Sequence, residues 1–154
     1  MIRNFILEGE IQESLKDEIN ENYIKLSNIY NQENVDVAIR SSGTAEDMPD
    51  ASFAGQQDTY LNVRNIDNVL YSVKKCFASL FNDRAISYRR TMNYESYNVK
   101  ISICIQKMVR SDLASAGVAF SLDVNTGNED LIVINGSYGL GEIVVSGQIK
   151  PDEF

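Results

Sequence analysis

Apolar residues recur at helical spacing through the first thirty positions of the chain. Ile11, Leu15, Ile19, Tyr23 and Leu26 follow one another at intervals of four and three, with Glu and Lys between them. That is the pattern of a helix with one buried face. It predicts an amphipathic helix over residues 7–30, ended by the polar stretch 31–34. Val35, Val37 and Ile39 then alternate with Asp36, Ala38 and Arg40. This predicts a strand with one buried face and puts Arg40 on the other face, at the strand's exit. Residues 41–58 are small and polar, with Gly43, Pro49 and Gly55 marking a loop. Loops of this length in a compact domain are usually functional or disordered, and this one is expected to be mobile over residues 42–57 without a ligand.

A strand resumes over residues 59–63. Ile66, Val69, Leu70, Val73, Phe77, Leu80 and Phe81 form a second helical stripe, with Asn65 or Asp67 suited to its N-cap. Asn82 is suited to cap a further helix through Arg90, and residues 91–98 read as a polar connection. Val99, Ile101, Ile103 and Ile105 alternate with Lys100, Ser102, Cys104 and Gln106. This clear strand is expected at the centre of the sheet with its odd-numbered side chains buried. Further strands are predicted at 118–122, 131–134 and 143–145, and turns at 123–130 and 136–141 from their Gly and Asn content. The order of elements predicts an α+β domain with a mostly antiparallel sheet and flanking helices.

At 154 residues the chain suits one domain or part of a larger one. It can build a core without a disulfide or metal. Fourteen Lys and Arg against 22 Asp and Glu give a net charge of −8, which argues against nonspecific nucleic-acid binding. A small anionic ligand is still admissible, since one or two placed cations suffice. Two cysteines, Cys76 and Cys104, without CxxC spacing give no zinc pattern; among apolar neighbours both read as reduced and buried thiols, which fits a cytoplasmic protein. No run reaches transmembrane length, and MIRNFILEGEIQ has no signal-peptide pattern. There is no histidine, so within this chain no imidazole serves as base, ligand or phosphoryl carrier.

Three segments have chemistry to offer. Arg40 leads into the small-residue loop, where a guanidinium could grip a phosphate. Gly55 would allow close backbone approach to an anion, and Thr59 adds a hydroxyl. The simpler alternative is an arginine paired with Glu46 or Asp47 in a solvated loop. Gln106, Lys107, Met108 and Val109 follow the long strand, where a backbone segment could read a purine edge with Met108 against the ring. The simpler alternative is a strand end. Residues 136–142, GSYGLGE, are neither GxGxxG nor a P-loop; they lie between two β-like runs and read better as a structural turn.

The stretches VAIRSSGTAEDMPDASFAGQQDTYLNV, KKCFASLFNDRAISYRR, IQKMVRSDLASAGVAFSLDVNTG and INGSYGLGEIVVSGQIKPDEF resemble the phosphoenolpyruvate synthases, from about residue 35 to the end. Pyruvate phosphate dikinase and rifampicin phosphotransferase have related domains, but the long agreement VRSDLAS, GLGE and PDEF is more similar to the synthases. The resemblance implies a partial ATP-grasp fold closing on Mg-ATP. It also implies a separate histidine domain that takes a phosphoryl group, and a barrel that passes it to pyruvate, giving phosphoenolpyruvate, AMP and phosphate. It implies phosphate contact for Arg40, membership of the phosphate-covering loop for Gly55 and Thr59, and an adenine hinge at Gln106, Lys107, Met108 and Val109. The family's Gly-Gly-Lys segment, its acidic Asp-Ile-Glu metal ligands, its histidine domain and its pyruvate barrel have no counterpart in the sequence. The chain by itself is therefore expected to be inactive. The alternatives are a rifampicin phosphotransferase-like fragment, and a non-enzymatic binding module or split subunit that kept the fold.

Overall fold

The computed structural model describes residues 1–44, 47–48, 51–52, 58–92 and 99–154. Gly55, and most of the loop expected to be mobile, lie outside the described residues. The chain divides into two compact units, Met1–Met108 and Val109–Phe154. Among the described residues every strand pairing is antiparallel, as expected for the α+β class.

The first unit contains α1 (Ile2–Glu8), α2 (Glu13–Ile29), β1 (Val37–Gly43), the short hairpin β2 (Asp47–Met48) and β3 (Ala51–Ser52), and β4 (Tyr60–Val63). It continues with α3 (Ile66–Ala78), a 3-10 turn (Ser79–Phe81), α4 (Asp83–Thr91) and β5 (Ile101–Lys107). The single helix predicted over 7–30 is thus two helices. Gly9 takes an extended conformation while its N–H still bonds the Phe5 carbonyl, because glycine is a poor helix interior residue. Lys74 fastens that end of α1 by donating to the carbonyls of Leu7 (2.7 Å) and Gly9 (3.2 Å).

The sheet runs β4-β1-β5, so the central strand is β1 and β5 is an edge, contrary to expectation. The sequence alternation explains the difference. In β5 the odd-numbered residues are half-buried and the even-numbered ones exposed, as in a strand with one wet face. Val37, Ala38 and Ile39 of β1 are all buried, as the middle of a sheet requires. Val35, Val37 and Ile39 pack with Tyr23 of α2 and Val69, Val73 and Cys76 of α3, and Ile103 and Ile105 close the core from β5. The predicted helix capped by Asn82 is present, with Asn82 Oδ1 accepting from the Ala85 N–H at 2.7 Å. Asn65 occupies the N-cap of α3 at φ +69° without a side-chain cap bond.

Two polar contacts fix how β1 enters the core. The Tyr23 hydroxyl donates to the Val35 carbonyl (2.8 Å) and accepts from the Asn65 N–H (3.1 Å), tying α2 to β1 and to the start of α3. Asp36, 1% exposed, accepts from Lys107 Nζ at 2.6 Å, with Arg64 at 3.9 Å. Its carbonyl also accepts from the Met108 N–H at 2.9 Å. Burial pushes the Asp36 carboxyl up, but the Lys107 hydrogen bond, a bond from its own backbone and the charges of Lys107 and Arg64 outweigh it. The group therefore lies below the ordinary carboxylate value.

In the second unit a 3-10 turn (Ser111–Leu113) leads into β6 (Ser115–Phe120), β7 (Val133–Tyr138), α5 (Gly141–Val145) and β8 (Asp152–Glu153). The sheet runs β6-β7-β8. The predicted strands at 118–122 and 131–134 are shifted, because small residues that read as turns lie inside strands. Gly136 is one of them, lying inside β7, and at Gly117 of β6 a Cβ would run into the Asn135 carbonyl across the pair. Residues 143–145 are helical, not a strand. Gly139 turns the chain at φ +95°, and the bonds Ile143 N–H to Leu140 O and Ser146 N–H to Glu142 O close a helical turn. Local geometry overrides the β-propensity of Ile-Val-Val.

Replacing Lys107 by Met leaves the Asp36 carboxylate buried with one remote cation, which should cost about 3 kcal/mol at neutral pH. Because the folded-state value of Asp36 is depressed, its contribution is present above the unfolded-chain pKa and is lost as pH falls through the lower folded value. Urea unfolding should therefore show the gap between wild type and Lys107→Met shrinking as pH drops below the ordinary Asp range. Tyr23→Phe strands the Val35 carbonyl and the Asn65 N–H and should cost about 2 kcal/mol in the same assay. A loss under a few tenths would mean that water replaces the hydroxyl.

Candidate nucleotide-binding face

The register of β1 against β5 decides what each side of the sheet presents. Ala38 lies opposite Gln106, Arg40 opposite Cys104 and Ser42 opposite Ser102. Met108 N–H bonds the Asp36 carbonyl and Thr44 N–H bonds the Lys100 carbonyl. The two bonds bracket the ladder with the same parity, so these three are the hydrogen-bonded pairs, and Val37–Lys107, Ile39–Ile105 and Ser41–Ile103 are the non-bonded ones. One face then carries Arg40, Ser42, Ser102, Cys104 and Gln106, all exposed. The other carries Val37, Ile39, Ile103 and Ile105 into the core.

Arg40 is the fourth of seven residues in β1, not at its exit. Ser41, Ser42 and Gly43 continue the strand because Ile103, Ser102 and Ile101 pair with them. Among the described residues no hydrogen bond or ion pair holds the Arg40 guanidinium, and the side chains of Glu46 and Asp47 lie outside them. Gln106 is one pair further along the same face, a diagonal neighbour at roughly 7–8 Å. The Cys104 thiol donates to Gln106 Oε1 at 3.9 Å, and Ser102 Oγ donates to the Ser42 carbonyl at 3.3 Å. Thr59 is exposed just before β4, whose Tyr60 pairs with Ile39. The fold thus brings Arg40 and Gln106 onto one surface from segments more than sixty positions apart, with Thr59 one strand over.

The 106–109 segment is more constrained than its sequence suggests. Lys107 Nζ is committed to Asp36 and to the Met108 carbonyl (3.1 Å), and lies 5.6 Å from the centre of the Tyr30 ring. The Met108 N–H is used by Asp36, and its side chain is buried. Met108 thus has neither its N–H nor an exposed side chain to offer. By the parity of the ladder, the N–H and C=O of Lys107 point outward from the edge of β5. Val109 is exposed and begins the second unit, and its carbonyl accepts from the Ser111 N–H at 2.9 Å.

Residues 136–142 close β7 and open α5. They form a strand end, a turn at Gly139 and Leu140 and the start of a short helix, so the turn expected there is confined to two residues. No three or more Asp, Glu or Cys residues gather where a metal could be held among the described residues. Asp36 was missed at the sequence level, although a lone carboxylate inside the apolar run VDVAI was the available signal. Ser42, Ser102 and Cys104 were missed as neighbours of Arg40, because only the strand register puts them there.

The molecule is therefore of a definable class: a two-unit α+β protein whose antiparallel sheet holds an exposed arginine and a carboxamide on one polar face. All 154 residues match the family described as pyruvate phosphate dikinase, AMP/ATP-binding domain, the first 34 included, and the chain belongs to that family. It is 53% identical over 153 residues to a phosphoenolpyruvate synthase of Aquifex aeolicus and 54% identical to one of Escherichia coli. Each match covers 99% of this chain but only 18% and 19% of those proteins. A probable phosphoenolpyruvate synthase of Methanocaldococcus jannaschii is 46% identical, with 13% of its length covered. The chain thus spans about a fifth or less of these relatives.

The two thiols should separate cleanly. Cys76 is buried as expected, but Cys104 is exposed, because it lies on the even-numbered, outward face of β5; burial, then the Asp58 charge, push the Cys76 thiol up to about 11. A disulfide reagent at pH 8 should titrate one thiol quickly in the native protein and the second only after denaturant is added. Two fast thiols would mean that the core around Cys76 opens.

Proposed function

We propose that the chain is the ATP-binding part of a phosphoenolpyruvate synthase, built as a piece of an ATP-grasp domain, with the nucleotide on the polar face of β1 and β5. The observation that carries this reading is the placement of Arg40 and Gln106 on the same face, with no hydrogen bond or ion pair to the Arg40 guanidinium among the described residues. An exposed guanidinium flanked by Ser42, Ser102 and Thr59 suits a phosphate chain. Gln106 at the inner end of the face suits a base, with the outward N–H and C=O of Lys107, and Val109 after it, offering the backbone edge. Met108 N–H is taken, so base recognition falls to its neighbours. Gly55 belongs to the reading as part of the loop over the phosphates. Mg2+ enters with the nucleotide it accompanies, and no ligand is assigned to it among the described residues.

In this reading the whole enzyme converts ATP, pyruvate and water to phosphoenolpyruvate, AMP and phosphate through a phosphohistidine. This chain has no histidine, so the phosphorylated imidazole and the pyruvate site belong to the histidine and barrel domains of the longer protein. The part played here is to bind and orient ATP, since phosphoryl transfer depends on positioning and charge neutralisation. No helix among the described residues is long and apolar enough to cross a membrane, and both cysteines are free; these support the cytoplasmic setting of the proposal.

Calorimetric titration with ATP tests the site. A charge-assisted contact is worth ~1.5–3 kcal/mol, so Arg40→Ala should weaken binding about tenfold or more. Unchanged affinity in a variant with an intact fold would remove Arg40 from the site. Purified chain given Mg-ATP and pyruvate should form no phosphoenolpyruvate and no pyruvate-dependent AMP. Sustained turnover that co-purifies with the chain and disappears with Arg40→Ala would overturn the division of labour.

A further inference from the structure

The register that sets Arg40 on the polar face also carries that face past the ends of β1 and β5. Gly43 pairs with Ile101. One position further, the Thr44 N–H donates to the Lys100 carbonyl (2.9 Å) and the Thr44 hydroxyl accepts from the Lys100 N–H (3.1 Å). These bonds fix the Lys100 backbone although it precedes the first residue of β5. Lys100 is even-numbered like Ser102 and Cys104, so its exposed side chain lies on the face that carries Arg40. A cleft of about 280 Å³ lies there, lined by Ser42, Gly43, Thr44, Lys100, Ile101 and Ser102, with no carboxylate among them. No hydrogen bond or ion pair holds the Lys100 ammonium among the described residues. A chain with 22 Asp and Glu thus leaves two cations unengaged on one face. Counted along β5 from the Arg40–Cys104 pair, Gln106 stands about 7 Å to one side and Lys100 about 13 Å to the other.

We propose that Lys100 is a second phosphate-binding cation of this site and takes the terminal phosphate of a nucleoside triphosphate, so that the face selects ATP over AMP. The proposal rests on the nucleotide reading of the face. With the base at Gln106 and the first phosphate at Arg40, each further phosphate runs past Ser42 and Ser102 toward the cleft. A monophosphate ends at Arg40 and gains nothing from Lys100. A lysine suits the outer end, because its ammonium is a point charge on a flexible stem that accepts many phosphate orientations, whereas the guanidinium fork of Arg40 favours one. The simpler role for Lys100 is that of a charged guard on the edge strand β5. That role requires no difference between nucleotides.

The test is an NMR titration of this chain with AMP, ADP and ATP, without divalent cations, read from the amides of Arg40, Cys104 and Gln106. Lys100→Gln should weaken ATP binding about fivefold or more, weaken ADP less, and leave AMP within about twofold. Lys100→Arg should keep the preference for ATP, and Arg40→Ala should weaken all three nucleotides. Lys150→Gln, the same loss of charge at an exposed residue of the second unit, should change none of them, which separates a local contact from net charge. The proposal is overturned if Lys100→Gln leaves ATP binding unchanged, or weakens AMP as much as ATP, while the wild-type amides still respond to nucleotide. The ATP reading of the face then stands and only Lys100 leaves it. If no nucleotide shifts those amides in the wild type, the reading falls and Lys100 with it.

Discussion

The buried contact between Asp36 and Lys107 sets the frame for the first unit. It joins the residue before β1 to the last residue of β5 and so fixes the register of the whole pair. A one-residue slip would exchange the two faces of β5, sending Ile103 and Ile105 into water and Ser102, Cys104 and Gln106 into the core. The pair is not a strong source of net stability, because desolvation offsets much of its attraction and Asp36 Oδ2 has no partner among the described residues. Its value is positional, since a misregistered strand would leave the Asp36 carboxylate buried without a cation.

From that register follows a division of labour around one strand. β1 gives Val35, Val37 and Ile39 to the core with α2 and α3, and Arg40 and Ser42 to the solvent side. The Tyr23 hydroxyl holds the start of the strand by bonding Val35 and Asn65 at once. The polar face thus rests on a rigid element whose other side is fully packed, which suits a surface that must hold a charged ligand in a fixed orientation. Lys107 illustrates the constraint. By sequence it is a cation in a candidate binding segment, but in the fold its ammonium is spent on Asp36 and on the Met108 carbonyl.

Membership of the pyruvate phosphate dikinase AMP/ATP-binding family agrees with this arrangement at the level of the domain. The chain corresponds to under a fifth of the synthases it matches. The surfaces it leaves open therefore need not be solvent surfaces in a protein of that length.

The sequence by itself determined the α+β class, the helices over α3 and α4, the Asn82 cap and the alternation of β5. These are local properties, set by periodicity and by side chains bonding their own backbone. It also carried the motifs that mark the family. It could not say which strand is central, because an apolar run such as Val35 to Ile39 reads the same with one covered face or two. The break at Gly9, the strand character of Ser41 to Gly43 and the helix at Ile143 to Val145 depended on partners distant in the chain or on a single backbone angle. The meeting of Arg40 with Gln106, and the capture of Lys107 by Asp36, were decided by tertiary structure alone, because strand register is a long-range property that no window of sequence contains.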